Sequence, residues 1–161
     1  MFSQRGYTLV EVMVSLSILA IMAVIMAPLM KQAQRYFWMH RAKTEIQRDA
    51  RLSLETVNRF LRQAYAASVV VDQLSGQPSH SRITFTTIQG RTLSFYQRDN
   101  TLYQAAGSTS TLSDNLRFIA FSYPRSDDAS ILSVSMTMEK STYEGKAKAL
   151  ELSIEKVRVM N

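Results

Sequence analysis

The chain has 161 residues and a mass of 18.3 kDa; 46% of its residues are apolar, 19 Lys and Arg stand against 13 Asp and Glu, and there is no cysteine. That length holds one modest domain and an appendage, and the missing cysteines exclude a disulfide framework, thiolate chemistry and cysteine-ligated zinc. The net charge of +6 argues for an anionic partner only if the basic residues cover a folded surface, so their distribution along the chain decides its meaning.

The first element runs from Tyr7 to Met30, YTLVEVMVSLSILAIMAVIMAPLM, with Glu11 as its only charge. At about 1.5 Å per residue it predicts a helix of roughly 36 Å, long enough to cross a bilayer. A secretory signal peptide has a shorter apolar core followed by a small-residue cleavage site, whereas this run is long and continues into a patterned helix, so it is expected to stay with the mature chain. A carboxylate inside such a span costs on the order of 2.5–3.5 kcal/mol at depth and less near the interface, so Glu11 calls for a partner. The span holds no basic residue. That leaves the chain's own amino terminus, the amine of a neighbouring subunit or a water-filled cavity in another protein, unless the side chain simply reaches the headgroups. Pro28 removes a backbone donor and predicts a kink in the helix preceding it.

Gln4-Arg5-Gly6 followed by Tyr7-Thr8-Leu9-Val10-Glu11 resembles the prepilin processing motif of the type IV pilin-like superfamily. In that family a membrane peptidase cuts after the glycine, which corresponds to Gly6, and methylates the new amine, here that of Tyr7, an aromatic where the family usually has Phe. Glu11 is then fifth in the mature chain, the place of the family's nearly constant acid, and Pro28 falls where many pilins carry a helix-breaking proline. The resemblance implies a leader over residues 1–6, a transmembrane helix over 7–30, and a role for Glu11 in pairing with the amine of an adjacent subunit during assembly. It also implies a cytoplasmic N-terminus and a periplasmic C-terminal domain. The flanking charges disagree: Arg5 precedes the span while Lys31, Arg35, Arg41 and Lys43 follow it, which by the positive-inside bias points the other way. The processing motif is the more specific signal and sets the expectation.

Residues 31–67 contain no Gly or Pro and carry a stripe of Ile46, Ala50, Leu54, Val57, Leu61 and Ala64, with Arg48, Arg51, Glu55, Arg59 and Arg62 away from it. This predicts an amphipathic stalk helix covering a sheet. Tyr36, Phe37 and Trp38, just past the span, suit either an interfacial aromatic belt or packing on the domain. His40 and His80 have no acidic neighbours at metal-ligand spacing and are expected to be exposed.

From residue 68 to 161 the pattern becomes strand-like. Val69–Val71 opens an edge strand or ends the helix, and DQLSGQPSHS over 72–81 is a loop. Residues 82–89, 91–97 and 101–104 read as a meander with turns at Gln89-Gly90 and Arg98-Asp99-Asn100. Residues 105–115, AAGSTSTLSDN, read as a second polar loop. Residues 116–123 carry apolar side chains on both faces and predict a covered strand. Leu132, Val134, Met136 and Met138 alternate with polar residues, and Leu150, Leu152 and Ile154 repeat the pattern against Glu151, Ser153 and Glu155, so both segments are expected to bury the apolar face; residues 141–148 form a charged hairpin loop between them. A long helix followed by an antiparallel sheet is an α+β layout, the one the pilin-like resemblance implies.

Ile83-Thr84-Phe85, the hairpin from Arg98 to Tyr103, the approach from Leu112 to Leu116, Phe118 and Phe121-Ser122-Tyr123, and the terminal Val157-Arg158-Val159-Met160-Asn161 resemble the J-type minor pseudopilins of type II secretion systems; W-type minor pilins of type IV pili share much of this pattern, and Met160 stands where the family often has Arg. The resemblance implies a non-enzymatic, cofactor-free subunit at the tip of a pseudopilus, with the prepilin peptidase, other minor and major pseudopilins or pilins, the inner-membrane assembly platform and the lipid bilayer as partners. The alternative is a minor pilin of a pilus or competence system, acting in adhesion or DNA uptake. The residues support no catalytic motif, and Asp127-Asp128 without a spaced third ligand fits a solvated turn better than a calcium site. Residues 31–67 hold eight basic residues against three acidic and residues 68–161 hold ten against nine, so the basic charge lies on the stalk. Headgroups or acidic patches on neighbouring subunits suit that arrangement better than nucleic acid does.

Overall fold

A computed structural model describes residues 6–142 and 148–159. Most of the leader, the tip of the predicted hairpin loop at 143–147 and the last two residues lie outside these. The chain divides into two compact units, Met1–Met39 and His40–Asn161.

The helix α1 spans Leu9–Leu61 and runs uninterrupted through Pro28. In the first unit every apolar side chain from Leu9 to Met30 is exposed, an arrangement water does not stabilise, so this stretch needs lipid or other helices around it. Ser15 and Ser17 turn their hydroxyls back onto the carbonyls of Glu11 and Met13, both at 2.8 Å, which removes two polar groups from the apolar surface.

In the second unit the predicted stripe is buried at Ile46, Ala50, Leu54, Val57, Leu61 and Ala64, and Arg48, Arg51, Glu55, Arg59 and Arg62 are exposed. The helix ends at Leu61, six residues short of the predicted stalk. Arg62 and Gln63 form a turn, Ala64 bridges to Thr87, and a 3-10 turn follows at Ala66–Ser68.

Two antiparallel sheets complete the domain. The first has the order β1-β2-β3-β4-β5, with β1 Val70–Asp72, β2 Arg82–Thr86, β3 Thr92–Arg98, β4 Thr101–Ala105 and β5 Thr109–Ser113. The second is β6 Leu116–Ser122, β7 Ile131–Ser141 and β8 Lys148–Arg158. The meander and its turns follow the sequence, except that β2 stops at Thr86, three residues short of the predicted 82–89: Gly90 takes φ 76 and donates to the Thr87 carbonyl at 2.8 Å, and Asp99 takes φ 55 between β3 and β4. The core joins the helix stripe to Ile83, Phe85, Leu93, Phe95, Leu102, Leu116, Ile119, Phe121, Leu132, Val134, Met136 and Met138. Phe95 is its hub, with Phe60 and Phe85 each 6.1 Å away between ring centroids.

Three expectations change. Residues 105–115 are not all loop, because Thr109–Ser113 pairs with β4 after a turn at Gly107; its β-branched threonines suit a strand, and its exposed edge position tolerates polar residues on both faces. β6 has one buried face, not two: Leu116, Ile119 and Phe121 are buried while Phe118 and Tyr123 are exposed, after a register shift between Leu116 and Phe118. β8 is reversed. Leu150, Leu152 and Ile154 pair with Glu139, Thr137 and Ser135 on the polar face of β7, and Glu151, Ser153 and Glu155 share the face of Met138, Met136 and Val134.

The two sheets are joined through Gln97, which is 3% exposed. Its amide donates to the carbonyls of Asp99 at 2.8 Å and Arg117 at 3.1 Å and accepts from the Ile119 N–H at 3.1 Å. Polar contacts then tie the helix to the strands: Glu45 to Lys140, Asp49 to Asn115 at 3.1 Å and Gln47 to Glu151 at 3.3 Å.

Candidate functional site

The sequence concentrates its chemistry at the N-terminus, in Gly6, Tyr7, Glu11 and Pro28. Gly6 and Tyr7 precede the helix, and Tyr7 is 84% exposed. A Cβ added to Gly6 meets nothing within 4 Å, and its φ lies outside the left-handed region, so neither space nor backbone conformation in this chain demands glycine there. Pro28 lies inside α1, where its missing N–H leaves the Val24 carbonyl without its usual intrahelical donor.

Glu11 has a partner within the chain. Thr8 is the residue before the helix; its Oγ1 accepts from the Glu11 N–H at 3.3 Å, and Oε2 of Glu11 accepts from the Thr8 N–H at 3.3 Å. This reciprocal pair is a capping box, which satisfies two of the free N–H groups at a helix start and sets a negative charge against the positive end of the helix dipole. The spacing Thr-x-x-Glu before an apolar run is its sequence signature, and a hydropathy reading of Glu11 as a lone carboxylate passes over it. Only Oε2 is engaged. Among the described residues Oε1 of Glu11 has no hydrogen-bond partner, so the carboxylate caps its own helix and still offers an oxygen outward.

Residues 1–27 match the family model described as the prokaryotic N-terminal methylation motif. The chain carries a prepilin-type N-terminus. Such a motif implies processing by a prepilin peptidase and assembly with other pilin-like subunits, and together with the apolar helix it fits a protein anchored in the inner membrane. Among curated proteins, none matches the chain.

Away from this prepilin-type end several charged groups are held in structural pairs. Glu45, hydrogen-bonded by the Lys140 ammonium, is held below its ordinary range, as is Glu139 by Lys148 and then Arg117. Arg82 does the same to Asp72 in a two-pronged pair that ties β1 to β2. Asp127 is taken by Arg125 at 2.7 Å, and Asp128 accepts from the backbone and hydroxyl of Ser130, so both carboxylates have turn-stabilising work. His40 and His80 are both exposed. Tyr36, Phe37 and Trp38 are exposed as well, and Phe37 meets Trp38 edge-on at 6.1 Å.

Proposed function

We propose that the chain is a non-enzymatic minor pseudopilin that assembles into the tip of a type II secretion pseudopilus. The observation that carries this reading is the prepilin-type junction of Gly6 and Tyr7 next to a helix whose first turn holds a half-engaged carboxylate. The glycine is not required by this chain's own fold, which supports a requirement imposed by a protease cleft that an extended leader must enter. Cleavage frees the amine of Tyr7, positive and at the membrane face. The free Oε1 of Glu11 then pairs with the amine of an adjacent subunit while Oε2 continues to cap, which fixes the stagger between subunits as helices leave lipid for a helical filament. The N-terminus stands in the cytoplasm and the sheet domain in the periplasm. The alternative within the same superfamily is a minor pilin of a pilus or competence apparatus.

The test is intact mass. Expressed with the prepilin peptidase, the chain is expected to lose the mass of Met1–Gly6 and gain one methyl group, and an unchanged mass refutes the processing step. Deletion in the native host then separates the two settings: loss of secreted protein from the medium supports the secretion role, and loss of pili or DNA uptake with secretion intact supports the alternative.

A further inference from the structure

The exposed apolar side chains from Leu9 to Met30 are followed on the same helix by a short segment of a different kind. Lys31 and Arg35 stand one turn apart, and Tyr36 and Phe37 come next, 60% and 63% exposed. Two large rings left open to this degree lose free energy in water, and a boundary that is apolar on one side and wet on the other stabilises them. Their exposure favours the interfacial belt over packing on the sheet domain.

The rise of the helix sets the level of this segment. At about 1.5 Å per residue, Leu9 to Met30 covers roughly 33 Å and matches a hydrocarbon core about 30 Å thick. Phe37 begins roughly 10 Å beyond Met30 at the same rise. Helix side chains lean towards the N-terminus, so the rings of Tyr36 and Phe37 reach back into the headgroup layer. Lys31 starts at the edge of the core, and its apolar stem carries the ammonium to that layer. Charge then selects the lipid. No Asp or Glu stands between Glu11 and Glu45, whereas Lys31, Arg35, Arg41 and Lys43 all fall in that interval. A headgroup with net negative charge gains from such cations, and a zwitterionic one gains much less.

We propose that Lys31, Arg35, Tyr36 and Phe37 form a collar that binds anionic phospholipid headgroups at the C-terminal end of the span. The rings fix its depth, and the two cations choose anionic over zwitterionic lipid. This rests on the reading of Leu9 to Met30 as a membrane span and not on the kind of filament the chain joins.

Trp38 is the only tryptophan of the chain and adjoins the collar, so its fluorescence reports which lipids stand there. The test uses the full chain in vesicles of equal parts phosphatidylcholine and phosphatidylglycerol, with bromine on the acyl chains of one lipid or the other and flotation as the check of insertion. Brominated phosphatidylglycerol is expected to quench Trp38 as though enriched about fivefold over brominated phosphatidylcholine. High salt is expected to reduce that enrichment. Lys31→Gln combined with Arg35→Gln is expected to bring the two lipids to parity while the phosphatidylcholine signal persists. Tyr36→Ser combined with Phe37→Ser is expected to weaken quenching by both lipids and keep their ratio. The proposal is overturned by equal quenching in the unaltered chain, by a ratio that the charge variant leaves unchanged, by full quenching in the aromatic variant, or by no quenching in a chain that floats with the vesicles. A chain that does not float overturns the membrane span as well.

Discussion

Replacing Glu11 by glutamine separates the two tasks assigned to its carboxylate. Glutamine keeps an oxygen that accepts from the Thr8 N–H, so Glu11→Gln preserves the capping box and removes the charge. Thr8→Val does the reverse: it takes away the hydroxyl that accepts from the Glu11 N–H and leaves the charge in place. Loss of the cap costs about 1 kcal/mol, but the cap uses Oε2 and exists both before and after assembly, so most of that cost cancels from the assembly equilibrium. Loss of the charge does not cancel. An unpaired carboxylate at the first turn of a membrane helix carries part of the roughly 2.5–3.5 kcal/mol penalty of a fully immersed charge, and pairing with a neighbour's amine relieves it. A deficit on the order of 2 kcal/mol corresponds to roughly thirtyfold less assembled subunit. A photocrosslinking amino acid in place of Leu16, on the exposed helix surface, gives a single reporter of neighbouring subunits in native membranes. Glu11→Gln is expected to reduce adducts with neighbouring subunits roughly thirtyfold and Thr8→Val to reduce them less than about fivefold. Full crosslinking in Glu11→Gln together with its loss in Thr8→Val refutes the pairing role and leaves Glu11 as a helix cap.

Gly6→Leu is expected to leave the mass of the chain unprocessed while the circular dichroism of the domain is unchanged; a cleaved Gly6→Leu chain removes the argument that the glycine serves a protease. Gln97→Leu leaves the Ile119 N–H and the Arg117 carbonyl unmatched at the join between sheets and is expected to destabilise the domain by about 1–3 kcal/mol for each group, read from chemical denaturation; a neutral effect shows that water replaces the amide. Leu61→Ala, at a fully buried stripe position, is expected to cost about 2–5 kcal/mol in the same assay, and a loss under 1 kcal/mol contradicts the packing of the helix end. Glu45 and Glu139 have folded pKa values below their ordinary 4.5, so the unfolded chain binds more protons as the medium acidifies. Their contribution is complete above about pH 4.5 and disappears as pH falls through the lowered values. The thermal midpoint is therefore expected to drop below pH 4.5, and to drop less in Glu139→Gln; identical pH profiles refute the assignment.

The stalk was legible because its evidence is redundant. Six apolar residues at spacings of three and four define one stripe, every one of them is buried, and the intervening arginines are exposed. The helix end was not, because no glycine or proline marks it: Leu61 is followed by Arg62, Gln63 and Ala64, all competent helix formers, and the chain is turned away by the Ala64–Thr87 bridge, in which the Ile88 N–H bonds the Gln63 carbonyl and the Tyr65 N–H the Thr86 carbonyl. β5 escaped for a related reason. Its threonines and serines are turn-like in composition, and the strand exists because β4 offers partners, not because it buries a face. Gln97 was within reach. It continues the buried register of Leu93 and Phe95, and a polar residue in that position asks for hydrogen-bond partners from another element.

β8 shows where pattern reading stops. Alternation shows that two faces of a strand differ, but it does not say which of them is covered; in β7 the apolar face is buried, whereas in β8 Leu150, Leu152 and Ile154 are exposed and Glu151 and Ser153 are half-buried. One helix is about 10–12 Å across and strands lie about 4.8 Å apart, so a single helix covers roughly two strands of a sheet. The third overhangs, and the space under it is the groove lined by Asn58, Arg62 and Glu155. A sequence selected only for the stability of the isolated domain would place polar residues on the outer face of such a strand. Leu150, Leu152 and Ile154 lie there instead, with Glu151 and Glu155 turned inward, and a stripe of this kind becomes favourable only when another surface covers it. The same argument governs the first unit, whose apolar side chains from Leu9 to Met30 are uncovered along their length. In both units the exposed apolar side chains are the ones that folding of the isolated chain leaves uncovered.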